Sequence, residues 1–220
     1  MKKLIIIGAG GFARDVAWLV ERINDHSPTW DLIGFIDDNQ ELTNLEINGY
    51  KVLGTTECVR MYEDAYFVCA VGSSITRKKI ITKIKAINPN IKFATVIDPA
   101  AEMSKFVSVG EGSIICAHTI ITVNTEIGSH VIINLDCTIG HDVVLHDFVT
   151  IYSGANVSGI TDIGECSELG TGMQIIQGKK VGAYSIVGAG AVVVKDIPEM
   201  CTAVGIPAKP IKFFDCEKGK

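Results

Sequence analysis

Ile127-Gly128-Ser129-His130-Val131-Ile132, Ile133-Asn134-Leu135-Asp136-Cys137-Thr138 and Ile139-Gly140-His141-Asp142-Val143-Val144 are three consecutive hexads. Each opens on isoleucine and carries a small or β-branched residue four places on (Val131, Cys137, Val143). The phase continues in both directions. Stepping by six from Ile97 to Val193 meets 17 positions, and all are Ile, Leu, Val or Met. Those four types supply 66 of the 220 residues. Unbroken agreement by chance is therefore on the order of one in a billion, and a strict period of this kind marks a solenoid. A second column four residues on holds mainly Ser, Thr, Ala, Val and Cys, with Met173, Lys179 and Ile197 as exceptions. Glycine follows the aliphatic at Gly110, Gly128, Gly140, Gly164, Gly170, Gly182 and Gly188.

The hexads imply a triangular β-helix. Each supplies one short strand and one corner, three make a coil, and residues 18 apart stack. The aliphatic points into a narrow prism, and small residues with glycine are expected to permit the sharp corners. Composition agrees. Hydrophobic residues are 47% of the chain but aromatics only 7%, and 31 Ile and 21 Val stand against 9 Leu, a β-type palette. The unbroken phase predicts no long loop between 97 and 198.

Residues 1–95 follow another rule. Strands are predicted at 4–7, 32–36, around 51–53, at 66–71 and at 91–96, with helices at 12–23 and 77–87. This alternation implies a parallel α/β sheet of Rossmann-like type. The expected division is 1–95, 96–200 for the β-helix, and a closing segment 201–220.

The net charge of −5 argues against a nucleic-acid partner. The longest apolar runs, 4–7 and 191–194, fall far short of the roughly 18–20 residues of a membrane span. Met1-Lys2-Lys3 and four aliphatics read as a strand, not a secretory leader. Seven cysteines without a C-x-x-C pair (Cys58, Cys69, Cys116, Cys137, Cys166, Cys201, Cys216) suit small buried hydrophobes in a reducing compartment. A cytoplasmic location is expected.

The [aliphatic]-Gly-x-x-[small]-x hexad, with the tail Val204-Gly205-Ile206-Pro207-Ala208-Lys209, resembles the left-handed β-helix acyltransferases. Ile6-Ile7-Gly8-Ala9-Gly10-Gly11, Gly34-Phe35-Ile36-Asp37-Asp38 and Ala70-Val71-Gly72-Ser73-Ser74 followed by Arg77 narrow the resemblance. They are similar to the subfamily of bacterial nucleotide-sugar N-acetyltransferases and sialic acid O-acetyltransferases. The resemblance spans essentially the whole chain.

His141-Asp142 is the leading candidate for catalysis. Acetyl transfer needs a base to take a proton from an amine or hydroxyl, and a neighbouring carboxylate fixes the imidazole tautomer. Taken from the residues alone, the pair equally fits a solvated surface dipeptide; the resemblance assigns the general base to His141 and its support to Asp142. His141-x4-His146 also fits a metal pair, but a third histidine whole coils earlier is missing, since 36 back is Lys105 and 18 back is Val123. No metal is expected.

Gly159 follows His141 by one coil, and its bare N–H suits a thioester oxyanion. The resemblance places acetyl-CoA against Thr150, Gly159, Thr171 and Ala189, and Lys195 and Lys209 are candidate phosphate partners. Ser153, Thr171 and Ala189 form a column of small residues, which corner geometry alone would also explain. Gly8-Ala9-Gly10-Gly11-Phe12-Ala13 opens a helix after a strand, where bare amides suit a phosphate. Asp37-Asp38 closes the second strand, where a carboxylate can meet a ribose or base. By itself this reads as a nicotinamide dinucleotide site, but there is no second mononucleotide unit. The resemblance implies instead a nucleotide-sugar site at Gly10, Gly11, Phe12, Asp37, Asp38 and Gly72.

The expected activity is transfer of acetyl from acetyl-CoA to the amine of a nucleotide-linked amino-deoxy sugar, for example a UDP- or dTDP-4-amino-4,6-dideoxy sugar, in bacterial surface-glycan biosynthesis. O-acetylation of a sialic-acid-type sugar is the alternative. An oxidoreductase and a non-catalytic scaffold are further rivals. The resemblance implies a homotrimer with active sites between subunits.

Overall fold

A computed structural model describes residues 1–214; Cys216 and the end of the expected closing segment lie outside the described residues. The chain divides into two compact units, Met1–Pro99 and Ala100–Lys220.

In the first unit, β1 (Lys2–Ile7) leads through Gly8–Gly10 into α1 (Gly11–His26), which returns to β2 (Trp30–Ile36). A two-stranded hairpin, β3 (Glu46–Ile47) and β4 (Tyr50–Lys51), interrupts the alternation. β5 (Tyr66–Cys69), α2 (Ser74–Ile87) and β6 (Lys92–Phe93) complete it. The sheet order is β2-β1-β5-β6, all parallel. Leu4 to Ile7 of the central strand are at most 1% exposed, because helices on both faces leave a parallel strand no polar side. α1 buries Ala13, Val16, Ala17, Leu19 and Val20, the stripe its spacing predicts. Two short 3-10 helices, Gln40–Leu42 and Thr56–Met61, were not legible in the sequence. Arg22 grips the buried Asp98 with two nitrogens, at 2.7 and 3.0 Å, and ties α1 to the end of the unit.

The second unit is a parallel β-solenoid of three faces. One carries Ile114–Ile115, Ile132–Ile133, Thr150–Ile151, Glu168–Leu169 and Ile186–Val187; the next carries the strands from Glu102–Met103 to Val192–Val193; the third runs from Ser108–Val109 to Lys180–Val181. From Glu102 to Val193 every paired strand residue lies 18 from its partner, as in Ile121↔Ile139 and Leu169↔Val187. From Ile115 to Val193 each hexad aliphatic is at most 4% exposed. Burying one such side chain contributes roughly 1.5–3 kcal/mol, so the axis is the main source of stability.

From Ser113 to Met173 the second column is equally buried, and most of its hydroxyls are satisfied across coils. Ser113, Thr119, Thr125 and Ser167 each donate to the carbonyl 15 residues on, at 2.8–3.0 Å. A hydroxyl here adds a bond between coils without leaving an unmet polar group.

Two sequence expectations change. The corner bend is not at the glycines that follow each aliphatic, none of which has positive φ. It falls two residues later, at His118, Asn124, His130, Asp136, Asp142, Phe148, Ile160, Cys166 and Tyr184, with φ of 55–61°, and at glycines such as Gly154 and Gly172. The glycines after the aliphatics serve close approach instead. A Cβ on Gly140 would lie 2.5 Å from Gly159 N, and one on Gly170 2.6 Å from Ala189 N. The second change concerns Ile197, an exception in the small column. It is 3% exposed and bridges Val181, 16 residues back, so the last coil is two residues short and Ile197 takes the inward place. The strand Cys201–Val204 keeps that shortened register against Ile186–Val187, and Lys209–Phe213 pairs antiparallel to it.

Gly170 and Gly172 separate the two glycine roles within one coil. Gly170→Ala drives a methyl into the backbone of the next coil and is expected to cost at least about 3 kcal/mol. Gly172→Ala meets nothing within 4 Å and bears only its φ of +68°, worth about 1 kcal/mol. Urea midpoints of the two variants check the order.

Candidate active site

The first unit brings its predicted ligand loops to one end of the sheet. Gly8 has φ +99°, and a Cβ there would touch Val71 Cγ2 at 3.2 Å and Ala70 O at 3.4 Å, so the β1–α1 turn sits close against the end of β5. Ala9 N donates to Asp37 Oδ2 at 2.9 Å, which locks this turn to the end of β2. Asn39 N donates to the other oxygen of Asp37. α1 begins without a side-chain cap or an acidic first turn, leaving the amides of Gly11 and Phe12 facing outward from the N-terminus. Gly10 and Gly11 are exposed; Phe12 and Gly72 are half-buried.

Asp38 is engaged internally. Its Oδ1 accepts from Thr56 N and Oγ1 at 2.9 and 2.7 Å, and Oδ2 accepts from Lys83 at 3.0 Å. Partial burial alone would raise its pKa, but the Thr56 and Lys83 bonds outweigh burial and hold the carboxyl below the ordinary range.

Arg77 follows the Ala70-Val71-Gly72-Ser73-Ser74 motif and braces it from within. It is fully buried, and its Nη1 donates to Val71 O at 2.7 Å and Gly72 O at 3.0 Å. The guanidinium therefore fixes the loop that follows β5. A lone arginine among the lysines of α2 gives no sequence signal of this.

On the solenoid, His141 Nδ1 lies 2.8 Å from Asp142 Oδ2, and both side chains are about half exposed, 45% and 50%. Asp142 Oδ1 accepts from Asn124 Nδ2 at 3.1 Å. The His141 and Asn124 bonds hold the Asp142 carboxyl below its ordinary pKa. Since the carboxylate is ionised, Nδ1 carries the proton and donates, leaving Nε2 as the basic nitrogen. The ring rests on the next coil: a Cβ on Gly159 would come 2.6 Å from Nε2. A methyl there would have to displace the ring. Gly159 N has no hydrogen-bond partner among the described residues.

The register sorts the remaining candidates. Val123, His141, Gly159 and Lys195 occupy one corner column, two residues after the inward aliphatic of the Glu102–Val193 face. Thr171 and Ala189 stand at the equivalent place on a different corner, after Leu169 and Val187, and both are exposed. Thr150, expected at the donor, is 1% exposed and offers almost no surface to a ligand. Lys209 opens the exposed terminal strand. Of the metal pair considered in the sequence, His146 bonds Asp162 through Nε2 at 3.0 Å, and no group of three or more metal-ligating side chains is assembled among the described residues.

Residues 3–84 match the family described as PglD N-terminal domain. The acetyltransferase domain of PglB from Neisseria gonorrhoeae FA1090 superposes with a TM-score of 0.87 at 36% identity, over 96% of this chain and 100% of that one. The chain belongs to the left-handed β-helix nucleotide-sugar N-acetyltransferases. The PglB domain has also been solved in complex with acetyl coenzyme A, at 37% identity. PerB from Caulobacter crescentus, in complex with CoA and GDP-perosamine, is 29% identical over 96% of this chain and 97% of its own, with a TM-score of 0.85. The GDP-perosamine N-acetyltransferase of Escherichia coli O157:H7 is 29% identical over 94% of this chain and 95% of its own length. The acetyltransferase takes its acyl group from acetyl-CoA, its co-substrate. No helix among the described residues is long and apolar enough to cross a membrane.

Two predictions follow from these sites. Gly159→Ala pushes the His141 ring off its platform and is expected to lower kcat about 100-fold or more with the fold intact; turnover and circular dichroism check it. Asp38, with its depressed pKa, contributes stability that is complete above the unfolded value of about 4 and lost as pH falls through the lower folded value. Asp38→Asn is therefore expected to flatten the acid limb of stability between pH 6 and 3. Trp18 and Trp30 are the two tryptophans of the chain, so fluorescence-detected urea midpoints report this unit.

Proposed function

We propose that the acetyltransferase moves acetyl from acetyl-CoA to the amine of a nucleotide-linked amino-deoxy sugar, with His141 as general base. The observation that carries the reading is the joint placement at one corner of a basic Nε2 and a free amide: the imidazole held by Asp142 lies directly against Gly159. The neutral amine attacks the thioester carbonyl carbon, Nε2 takes the proton released as the C–N bond forms, and the Gly159 N–H receives the developing oxyanion. Collapse breaks the C–S bond and releases the CoA thiol, protonated from His141. No covalent acyl-enzyme is required: Cys137, the nearest cysteine in sequence, is buried, with its thiol pushed up to about 11.

The nucleotide is assigned to the loops at Gly10, Gly11, Phe12, Asp37 and Gly72. The open amides of α1 suit a diphosphate, and the Asp37 oxygens, which brace the turn, keep lone pairs for a sugar or base hydrogen. The relatives matched along their whole length include enzymes named for GDP-perosamine N-acetylation, which supports an amine acceptor over a hydroxyl.

The donor is assigned between subunits of a homotrimer. His141, Gly159 and Lys195 lie on one corner, whereas Thr171 and Ala189 lie on another, so one acetyl-CoA meets both sets only if two copies contribute. Val123, Ile160 and Ile176, on or beside the His141 corner, are 42–53% exposed, an apolar surface that a second subunit would cover. Lys195 stands three coils beyond His141, about 14 Å at the spacing of paired strands, a separation suited to an extended arm between thioester and phosphate.

The test is a panel of GDP-, UDP- and dTDP-linked amino sugars with acetyl-CoA, read by free-thiol release. One amino sugar is expected to release thiol, and His141→Ala is expected to reduce kcat at least about 100-fold with acetyl-CoA affinity retained. Acetylation of a sugar that lacks an amine, or full turnover by His141→Ala, overturns the reading. Sedimentation equilibrium is expected to give three times the 23.6 kDa of one chain.

A further inference from the structure

Asp142 poses a geometric problem that the catalytic pair alone does not solve. It stands at a solenoid corner with φ +56°, half exposed, on a short side chain. Its main chain is fixed, since Asp142 N donates to Val123 O at 3.0 Å. Its carboxylate is not fixed by that bond, and a half-exposed contact to a single imidazole is weak. An unbraced carboxylate would rotate into solvent much of the time and release Nδ1.

The second oxygen of Asp142 is taken by Asn124 Nδ2, from the coil on the other side of His141 to Gly159. The two residues occupy the same position in successive coils: Ile121 pairs with Ile139, and each corner residue follows three places on. Both have left-handed backbone, φ 57° and 56°, so their side chains leave the corner in the same direction. Asparagine suits this place on two grounds. It tolerates positive φ better than most residues, and its amide nitrogen is a donor where the neighbour is a carboxylate.

We propose that Asn124 is a positioning residue for catalysis, holding Asp142 so that its other oxygen keeps the His141 Nδ1–H tautomer and leaves Nε2 free as base. The inference rests on the reading of His141 as that base. The alternative is a bond between coils that serves stability alone, as between Thr138 and Asn156 at 2.6 Å. The two differ in what they do to the imidazole.

The experiment uses the full chain carrying 15N-labelled histidine. Asn124→Gly removes the carboxamide but accepts the left-handed backbone without strain, so folding is preserved. Asn124→Asp keeps size and backbone preference but sets a carboxylate against Asp142. In both variants the Nε2–H tautomer of His141 is expected to grow at the expense of Nδ1–H, assigned by loss of the signal in His141→Ala. With the amino sugar that the wild-type enzyme acetylates, kcat is expected to fall about three- to tenfold in Asn124→Gly and at least as far in Asn124→Asp, with both KM values within about twofold. A wild-type tautomer ratio in both variants, or a loss confined to KM, overturns the inference. Full turnover by His141→Ala overturns instead the reading on which it rests. The tautomer measurement needs no substrate and decides the positioning role by itself.

Discussion

Coil-on-coil contact is the constraint from which the rest of this molecule follows. Adjacent coils lie one strand spacing apart, about 4.8 Å, and nothing larger than hydrogen fits between their backbones at Gly128, Gly140, Gly164, Gly170 and Gly182. The corner residues meet the same constraint by another route. Each turns the chain through a left-handed conformation that costs a non-glycine residue roughly 1–2 kcal/mol. That cost recurs at nine non-glycine corners in register, from His118 to Tyr184. It is offset by the aliphatic axis and by the ladder of backbone bonds that each coil makes to the next.

A fixed register converts sequence position into spatial position without intermediate packing. Residues 18 apart are neighbours, whatever their types. The corner at His141 uses this three times. Asn124 reaches Asp142 across one coil, the His141 ring lies on Gly159 across the next, and Lys195 stands farther along the same column. Such a site is built from single substitutions at solvent-facing positions, while the inward aliphatics stay unchanged. The first unit works by the opposite logic. There the loops at Gly8–Gly11, Asp37 and Gly72 converge because parallel strands end at the same edge, and polar contacts from Asp37 and the buried Arg77 hold them.

The solenoid, its period and its axis were legible because one physical demand repeats 17 times in sequence. The contact between His141 and Asp142 was legible because the two residues are adjacent. Asn124 and Arg77 were not, for different reasons. Asn124 meets Asp142 from one coil away, and a single asparagine at a corner has the same appearance as Asp136 or His118, which make no such contact with His141-Asp142. Arg77 sits among helical lysines and differs only in being buried. The corner was misplaced by two residues because glycine is usually associated with turning, whereas here it is selected for proximity. The closing coil escaped the period because its shortening by two residues leaves Ile197 in a column reserved for small side chains.

The half exposure of His141 and Asp142 bears on the chemistry proposed for them. In water, two charges in contact interact with only about 1 kcal/mol, and a bare amide offers an oxyanion little that solvent does not. The same groups become effective when water is excluded from around them, because the local dielectric falls and their orientation is already fixed. Within one chain the His141 corner is bordered by exposed Val123, Ile160 and Ile176, side chains that contribute nothing to acid–base chemistry but would exclude water well if covered. The arrangement of small Thr171 and Ala189 on a different corner supplies a surface with room for a ligand between two prisms. On the proposed assembly, the exposed dyad with its apolar border is half of a site: the solenoid sets the geometry of the proposed reacting groups, and association would supply the low-dielectric surroundings in which that geometry lowers the barrier.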